Sequence, residues 1–587
     1  MANTYSQTKR QRLEIQRGQL ELERSSFLSH WREIADFMLP RRPRFQTTDT
    51  NRGDRRNQKI IDATATLALR TLRSGMMSGI TSPARPWFRL TTPDPDLAEF
   101  GSVKQWLHTV SQRMTTVFLR SNLYNALPIV YGDIGGFGSA ALMMEEDLDD
   151  VVRFYPFPIG SYCIANNDRL KVDVFTREFR MTVRQLVQRY GRKRGSGSVD
   201  WSNFSTHVRN QWDNSNYETW VDVCHAISPN PEYDPKYLGA KNKKYESCTY
   251  EKGALGTSHS DSFDVGTYLK ESGYDYFPVL APRWETTGED SWGTSCPGMD
   301  ALGDVKQLQL MQKRKAQAVE KMVNPPMKAP TSMRTSKASI LPGDITYVDE
   351  REHMKGFSPA HEVNLPLSEL REDIRETQDI IRRAFFEDLF LMLAQSDRRE
   401  ITAREIEERH EEKLLALGPV LEQLNQDLLD PLIDTTFSML ERQRLLPEPP
   451  EELQGVQLKV EYLSIMAQAQ KTIGIAGVER FAGFVRSIAE GSQDPSVLDK
   501  VDIDQMIDVY GDLTSVPPGI VRTDDAVEEI RQGRQKAAQA QQSAESLQNV
   551  AGAARDLSQT DTGGKNALTD LMSAANAGSP LPEGAPL

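Results

Sequence analysis

The sequence predicts an α+β fold that is mainly helical. Apolar residues recur at helical spacing before residue 120 and again after residue 299. Between them, residues 150–295 contain short aromatic and β-branched runs that are broken by Gly, Pro and Asn, which is typical of strands. With 587 residues, 38% of them hydrophobic, the chain is long enough to bury several domains' worth of core.

Composition narrows the classes of function. The formal charge of −13 means that the overall field does not attract DNA, so any nucleic-acid contact must come from local basic groups. The polar N-terminus does not resemble a signal peptide, and the longest apolar runs are too short to cross a bilayer. No two of the four cysteines have C-x-x-C spacing, which favours a reducing compartment; they are Cys163, Cys224, Cys248 and Cys296. We therefore expect a soluble intracellular product without a membrane partner.

Three helices are predicted in the N-terminal part, at residues 5–40, 58–80 and 102–119. The first has one apolar face, formed by Leu13, Leu20, Leu22, Phe27, Trp31, Ile34 and Met38. The predicted strands that follow are VVRFYPFP, SYCIA, KVDVFTREF, WVDVCHAI and ESCTYE, with a loop at 192–203.

After residue 299 the pattern predicts a helix, a small β insert, a second helix, a loop and a long helix. The first helix, 299–323, ends at Asn324-Pro325-Pro326. It places Leu308, Met311, Ala318, Val319 and Met322 on one face, and Lys306, Lys313, Arg314 and Lys321 on roughly the opposite face. This basic face is either solvated or directed at a polyanion. The insert spans 326–364 and the second helix about 367–387.

The long helix begins at a T-x-x-E capping box, Thr402 to Glu405, with Ile401 and Ile406 in the two staple positions. An apolar seam at steps of three and four residues then continues to Leu432, which predicts packing against neighbouring helices. Because proline removes a backbone donor and clashes with the preceding turn, we expect a kink near Gly418 and Pro419 and a second bend at Pro431.

No catalytic, metal or cofactor site is predicted. The segment that begins His410-Glu411 lacks a second histidine one turn on, where Leu414 continues the seam, so His410 is interpreted as structural. The glycine-rich stretch GDIGGFG (132–138) does not have the G-x-G-x-x-G spacing and is better explained by tight packing or turns.

Several long blocks resemble the head-to-tail connector, or portal, proteins of short-tailed bacteriophages. The resemblance runs from about residue 5 to 530. It rests on LRSGMMSGITSPARPWFRL (72–90), YGDIGGFGSAALMMEED (131–147), YPFPIGSYCIANND (155–168), and the segments 281–326 and 382–434.

The resemblance implies a portal fold with a wing, a two-helix stem, a small α/β clip and a helical crown, assembled as a ring of twelve subunits at one capsid vertex. The implied segments are the wing 1–298, stem helices 299–325 and 367–387, clip 326–366, tunnel loop 388–401, long kinked helix 402–445, crown 446–535 and an Ala/Gln-rich barrel or disordered tail 536–587. Helical composition at 524–556 leaves the choice between barrel and tail open. The implied DNA-channel candidates are Arg398, Arg399, Lys306, Lys313, Arg314 and Lys321.

The same resemblance implies double-stranded DNA, the major capsid protein and scaffold, the terminase large subunit and tail adaptor proteins as partners. It also implies assembly in the host cytoplasm and a final place in the virion. Two alternatives remain: a tail adaptor or head-completion ring protein, and a metal- or nucleotide-dependent enzyme of DNA processing, which the motifs disfavour. The arginines of the loop could instead pair with the adjacent Asp397 or Glu400.

Overall fold

The structure is a computed structural model. The described residues are 9–49, 53–94, 97, 101–191, 199–252, 268–328, 334, 358–359, 366–395, 417–453, 455, 458–463, 480–485, 487–488, 501–513 and 524–558.

Four helices form the N-terminal part: α1 (Lys9–Phe37), α2 (Thr64–Gly79), α3 (Gly101–Arg120) and α4 (Leu123–Phe137). The three predicted helices are confirmed, although α2 starts later than expected. The apolar face of α1 is buried at Leu13, Trp31 and Ile34, whereas Leu22 is 76% exposed and does not belong to it. Sequence reasoning missed α4, because Pro128 and its glycines are poor helix formers and tertiary packing overrides their propensity.

The strand-rich region folds mainly into one five-stranded antiparallel sheet with the order β4-β5-β6-β7-β8. Its strands are β4 (Tyr162–Asn166), β5 (Val172–Thr182), β6 (Trp220–Pro229), β7 (Tyr245–Glu251) and β8 (Lys270–Tyr274). Helix α1 crosses one face of this sheet, where the ring of Tyr250 lies 3.5 Å from the Arg10 guanidinium. Two short helices, α5 (Val183–Tyr190) and α6 (Thr206–Asp213), cover one end of the other face.

Three smaller sheets connect distant parts of the chain. Strands β2 (Ala141–Asp147), β3 (Val151–Phe157) and β9 (Val279–Leu280) form a three-stranded sheet, and β1 (Phe88–Thr91) pairs with β12 (Lys459–Tyr462). The last pair is β10 (Met327–Lys328) with β11 (Ser358–Pro359), at the two ends of the predicted insert. The segment 459–462 therefore pairs with the N-terminal part of the chain.

The two helices predicted on either side of the insert are confirmed as α8 (Leu302–Val323) and α9 (Leu367–Ala384), with a separate short helix, α7 (Pro297–Asp300), before the first. A further helix, α10 (Glu387–Gln395), was not predicted. The long helix is confirmed over its described part, which comprises helical residues 417–424, a π-helical turn, Asn425–Leu429, and α11 (Asp430–Arg442). The expected loop 388–401 is wrong for residues 388–395, which belong to α10. Its Leu389 and Phe390 are buried against the core, and this apolar contact extends the helix past the expected break.

Two helices lie near the C-terminus, α12 (Ile503–Leu513) and α13 (Asp524–Ser558). The second confirms the helix predicted from the Ala- and Gln-rich composition of 524–556. It belongs to a compact unit formed by residues 99–101 and 516–587, whereas the rest of the chain up to Ser515 forms the first unit. The segment after residue 558 lies outside the described residues.

Among the described residues of the first unit, one large apolar core lies beside three smaller clusters. At its centre the ring of Trp31 lies edge-on to Trp292, with centroids 4.9 Å apart, and the Trp31 indole donates a hydrogen bond to the carbonyl of Phe137. All four cysteines are free and buried. Among the described helices, none has the length and apolar composition that a bilayer crossing requires.

Candidate nucleic-acid interface

Helices α8 and α9 pack together and carry most of the basic residues that the sequence analysis selected. The first half of α8 is fixed to the core by Val305 and Leu308, which are fully buried. In α9, Ile374 and Ile381 are buried in the same core. The two helices therefore form a paired element that is anchored at one end.

The second half of α8 is covered less by its own chain. Its apolar face continues to Val319 and Met322, yet these side chains are 40% and 41% exposed, and Val323 is 79% exposed. An apolar stripe that runs beyond the part its own chain covers is typical of a surface for another subunit.

The basic face of α8 divides into two sets. Lys313, Arg314 and Lys321 are exposed and form no ion pair within the described part of the chain. Lys306 instead lies 2.6 Å from Glu33 of α1, and its ammonium lowers the pKa of that carboxyl through a hydrogen bond. Lys306 is consequently the weakest of the four channel candidates, since the other three have no ion-pair partner among the described residues.

The paired helices are anchored by a polar cluster around Asp62, just before α2. The carboxylate of Asp62 accepts hydrogen bonds from Gln312 of α8 at 2.9 Å and from Gln378 of α9 at 2.8 Å. Gln309, which is 5% exposed, accepts from the backbone N–H groups of Ile61 and Asp62. One carboxylate thus bridges three helices, since Thr64 at the start of α2 also donates to it.

These hydrogen bonds decide the ionisation of Asp62. Partial burial opposes the charged form, but the bonds from Thr64, Gln378 and Gln312 outweigh it and hold the pKa of Asp62 below its ordinary value. Because the folded-state pKa is lowered, the carboxylate stabilises the fold above its unfolded pKa, and this contribution is lost as pH falls through the folded pKa.

Replacing Asp62 by Asn should therefore lower the free energy of unfolding by about 1–2 kcal/mol at pH 7, because charge-assisted hydrogen bonds become neutral ones. The gap between the two proteins should begin to close as the pH falls below the unfolded pKa of about 4, and should vanish only below the lowered folded pKa, where the wild-type carboxyl is neutral in both states. Urea unfolding at pH 7 and in steps down to pH 3 measures it. A gap that stays constant over this range would contradict a role for the ionised carboxylate.

The long helix contains a π-helical turn whose side chain reaches into the first unit. Asp427, within that turn, pairs with Arg283 through bonds of 2.9 and 3.1 Å, and Gln423 donates to the same carboxylate. Both charged side chains are almost fully buried, at 2% exposed for Arg283 and 8% for Asp427. The remaining guanidinium donors bond to Asn166 and to the carbonyl of Leu170. The pair fixes the helix against the end of the five-stranded sheet.

Much of the predicted throat lies outside the described residues. This applies to Arg398 and Arg399, to Ile401, Thr402, Glu405 and Ile406 of the expected cap and staple, and to His410. Gly418 and Pro419 lie in the first described turn of the helix, so the expected kink before them is not tested. The seam is buried at the described positions Leu417, Leu424, Leu428 and Leu432.

Sequence reasoning missed Asp62, Gln309 and the Arg283–Asp427 pair. Gln309 follows directly after the buried Leu308, and a glutamine inside a buried stripe signals a polar partner elsewhere. No comparable local signal marks Arg283, because its partner lies more than a hundred residues away. Among the described residues, no group of three or more His, Cys, Asp or Glu side chains is placed to hold a metal ion.

Comparison with known proteins gives the arrangement a context. A profile of the family described as bacteriophage head to tail connecting protein matches residues 10–521. The chain is 48% identical to the portal protein of Salmonella phage epsilon15, over 97% of this chain and 99% of the relative. It is 43% identical to the probable portal protein of Bordetella phage BPP-1, again over 97% of this chain and 99% of the relative.

Proposed function

The chain belongs to the bacteriophage head-to-tail connecting protein family, and from this premise we propose that twelve copies close into a ring around a DNA channel at one capsid vertex. The function is that of a phage portal, a structural component of the virion at the head–tail junction. Through the channel the genome is packaged and retained, and later ejected into the host.

The exposed apolar stripe on the second half of α8 is the observation that supports the proposed ring. In a closed ring each subunit uses two different surfaces, one for each neighbour, so a helix can present an apolar face that its own chain leaves open. Val319, Met322 and Val323 form such a face, and Ile380 of α9 is exposed as well. Burying these side chains between subunits removes apolar area from water, which stabilises the ring by about 25 cal/mol for each Å² buried.

The charge pattern suits a channel through which DNA slides. Every phosphate that a protein neutralises strengthens its hold, so a channel should offer few cations within an acidic protein. Lys313, Arg314 and Lys321 supply such cations on α8, and Arg398 and Arg399 are the candidates for the narrowest part.

The segments of the chain receive the following proposed roles. Helices α8 and α9 form the stem, residues 326–366 the clip, and the helix after residue 402 the long connection towards the crown. Helix α10 confines the proposed tunnel loop to the residues after 395. The proposed partners are the major capsid protein and scaffold around the wing, the terminase large subunit during packaging in the host cytoplasm, and tail adaptor proteins afterwards.

A tail adaptor or head-completion ring protein would also form a ring, but it would not bind the terminase that packages the DNA. The two relatives, which are named portal protein and probable portal protein, match this chain over nearly their whole length, and this favours the portal. Electron microscopy of the purified protein should show rings with twelve-fold symmetry and a central hole. Monomers alone at assembly concentration would contradict the ring, and rings that fail to bind the terminase would favour the adaptor.

Changing both Arg398 and Arg399 to Glu should leave ring assembly intact and reduce the DNA packaged or retained per head several-fold. The reversed charges would repel phosphates at the narrowest part of the channel. The control reverses Arg184 and Arg209, two exposed arginines of α5 and α6, so that the net charge changes equally. Normal packaging by the loop variant, or an equal loss in the control, would show that the loop arginines do not act on DNA.

A further inference from the structure

The two faces of the five-stranded sheet differ in how their cations are compensated. On the face under α1, most basic side chains that lie against the sheet meet a carboxylate. The ion pairs there are Lys9 with Glu246 and Glu271, Arg12 with Glu246, Arg17 with Glu178, and Lys252 with Glu178. Arg24 of α1 instead donates to the carbonyls of Gly160 and Tyr162 at the edge strand β4.

On the opposite face, a row of polar residues crosses four neighbouring strands, and we call this row the polar rung; it consists of Arg177, His225, Thr249 and Lys270. Strand register places Arg177 of β5 opposite His225 of β6, His225 opposite Thr249 of β7, and Thr249 opposite Lys270 of β8. Directly opposed residues in antiparallel strands point to the same side of a sheet. Burial lowers the pKa of both Arg177 and His225, and the charge of Arg189 on α5 lowers both further, so Arg189 acts on the same rung.

Arg177 is held rigidly but lacks a counter-ion. Its guanidinium lies between two aromatic rings, 4.4 Å from the centroid of Phe157 and 4.2 Å from that of Phe179. A guanidinium that stacks on aromatic rings keeps its edge for hydrogen bonds. Its Nε is shielded from solvent and has no hydrogen-bond partner, and within the described ranges no carboxylate lies at ion-pair distance from Arg177.

The groups around this edge are donors and cations. The hydroxyls of Tyr190 and Tyr274 lie within hydrogen-bond reach of Thr249 and Ser247 respectively. His225 is buried and bonded to Ser247 at 2.9 Å; burial, reinforced by Arg177, holds its pKa well below the ordinary value, so it is neutral. Glu145 of β2 acts on Arg177 from a distance, and among the described residues Arg177, Arg189 and Lys270 form no ion pair.

We propose that this rung binds an oxyanion, a phosphate or a carboxylate, which is held by the edge of the Arg177 guanidinium and by the cations of Arg189 and Lys270. A stacked arginine presents a planar fork that matches the oxygens of either group. A half-buried cation without a counter-ion is destabilising, and a bound anion offsets that loss. The site lies on the sheet rather than on α8, so it is separate from the proposed channel.

Calorimetric titration of the full-length protein with inorganic phosphate, at constant ionic strength set by chloride, tests the site. Arg189→Gln and Lys270→Gln remove exposed rim charges and should each weaken phosphate binding about tenfold, the equivalent of about 1.4 kcal/mol. Arg184→Gln is the matched control, because it removes one charge from the same helix but from a side chain paired with Glu218. It should bind phosphate as the wild type does.

Two further measurements complete the test. Arg177→Lys keeps the charge but loses the planar fork, and should abolish detectable binding while the circular dichroism spectrum stays unchanged. Glutarate, which imitates an acidic side chain, distinguishes the two sources: tighter binding than phosphate at the same residues identifies a protein carboxylate as the occupant, and weaker binding identifies phosphate. The proposal is overturned if neither probe binds above chloride, or if both rim variants bind as the control does.

Discussion

Changing Asp427 to Ala is expected to lower the free energy of unfolding by about 3–5 kcal/mol, because it leaves the charge of Arg283 buried without its partner. Arg283 is 2% exposed, so neither water nor a small rearrangement replaces the lost carboxylate. Gln423 would also lose its acceptor. The loss should appear as a lower midpoint in denaturant unfolding of the unassembled protein.

Two variants separate this mechanism from a general effect of mutation. Glu218→Ala breaks the pair with Arg184, whose side chains are 54% and 66% exposed, and should cost less than about 1 kcal/mol. The double variant Arg283→Met, Asp427→Leu removes both charges and should recover a large part of the stability. A cost near that of the exposed pair, or a double variant as unstable as the sum of its single changes, would contradict the interpretation.

The π-helical turn around Asp427 illustrates what local patterns predict and what they do not. Pro431 predicts a disturbance, because in an α-helix its ring would crowd the carbonyl of Asp427. The structure resolves the crowding by a wider turn, in which the N–H of Asp430 donates to Asn425, five residues back. The position of the disturbance follows from the sequence. That it also directs a carboxylate to Arg283 depends on the sheet, which no local pattern describes.

In the candidate channel, too, local features were predictable from the sequence and contacts between distant segments were not. Periodicity and proline positions predicted α8 and α9 to within a few residues, and the basic face of α8 is exposed at three of its four positions. The pairing of Lys306 with Glu33 was not predictable, since it depends on where α1 passes α8. Helix α10 was missed for a related reason, because its apolar side chains form a contact with α2 that the local sequence does not reveal.

Glycines make that contact possible and explain the motif GDIGGFG. A Cβ at Gly75 of α2 would overlap the ring of Phe390 of α10, so Gly75 lets the two helices approach. Gly138 ends α4 with a φ of +80°, the left-handed conformation that favours glycine. The expectation that packing and turns explain this motif is confirmed, and the packing is backbone against backbone, with α7 lying on the last turn of α4 through Gly136 and Gly298.

Changing Gly298 to Ala should accordingly lower the free energy of unfolding by about 2–4 kcal/mol. The new Cβ would lie 2.8 Å from the Cα of Gly136 and closer still to its carbonyl oxygen. Backbone atoms cannot rotate away as the end of a flexible side chain does, so α7 must shift as a whole. Because α8 follows α7 after Ala301, such a shift would move the anchored end of the proposed stem, and ring formation should weaken together with stability.

The control for this prediction is the same substitution five residues further on. A Cβ at Gly303, in the first turn of α8, meets nothing within 4 Å. Gly303→Ala should therefore raise the free energy of unfolding by about 0.5 kcal/mol, because alanine restricts the unfolded chain and favours the helix. If the close approach of α4 and α7 holds the stem, denaturant unfolding should show a lower stability for Gly298→Ala and a higher stability for Gly303→Ala. Electron microscopy should show weaker ring formation for Gly298→Ala. Equal stabilities would mean that α7 accommodates a Cβ without moving, and the stem would then be anchored by Val305, Leu308 and the Asp62 cluster.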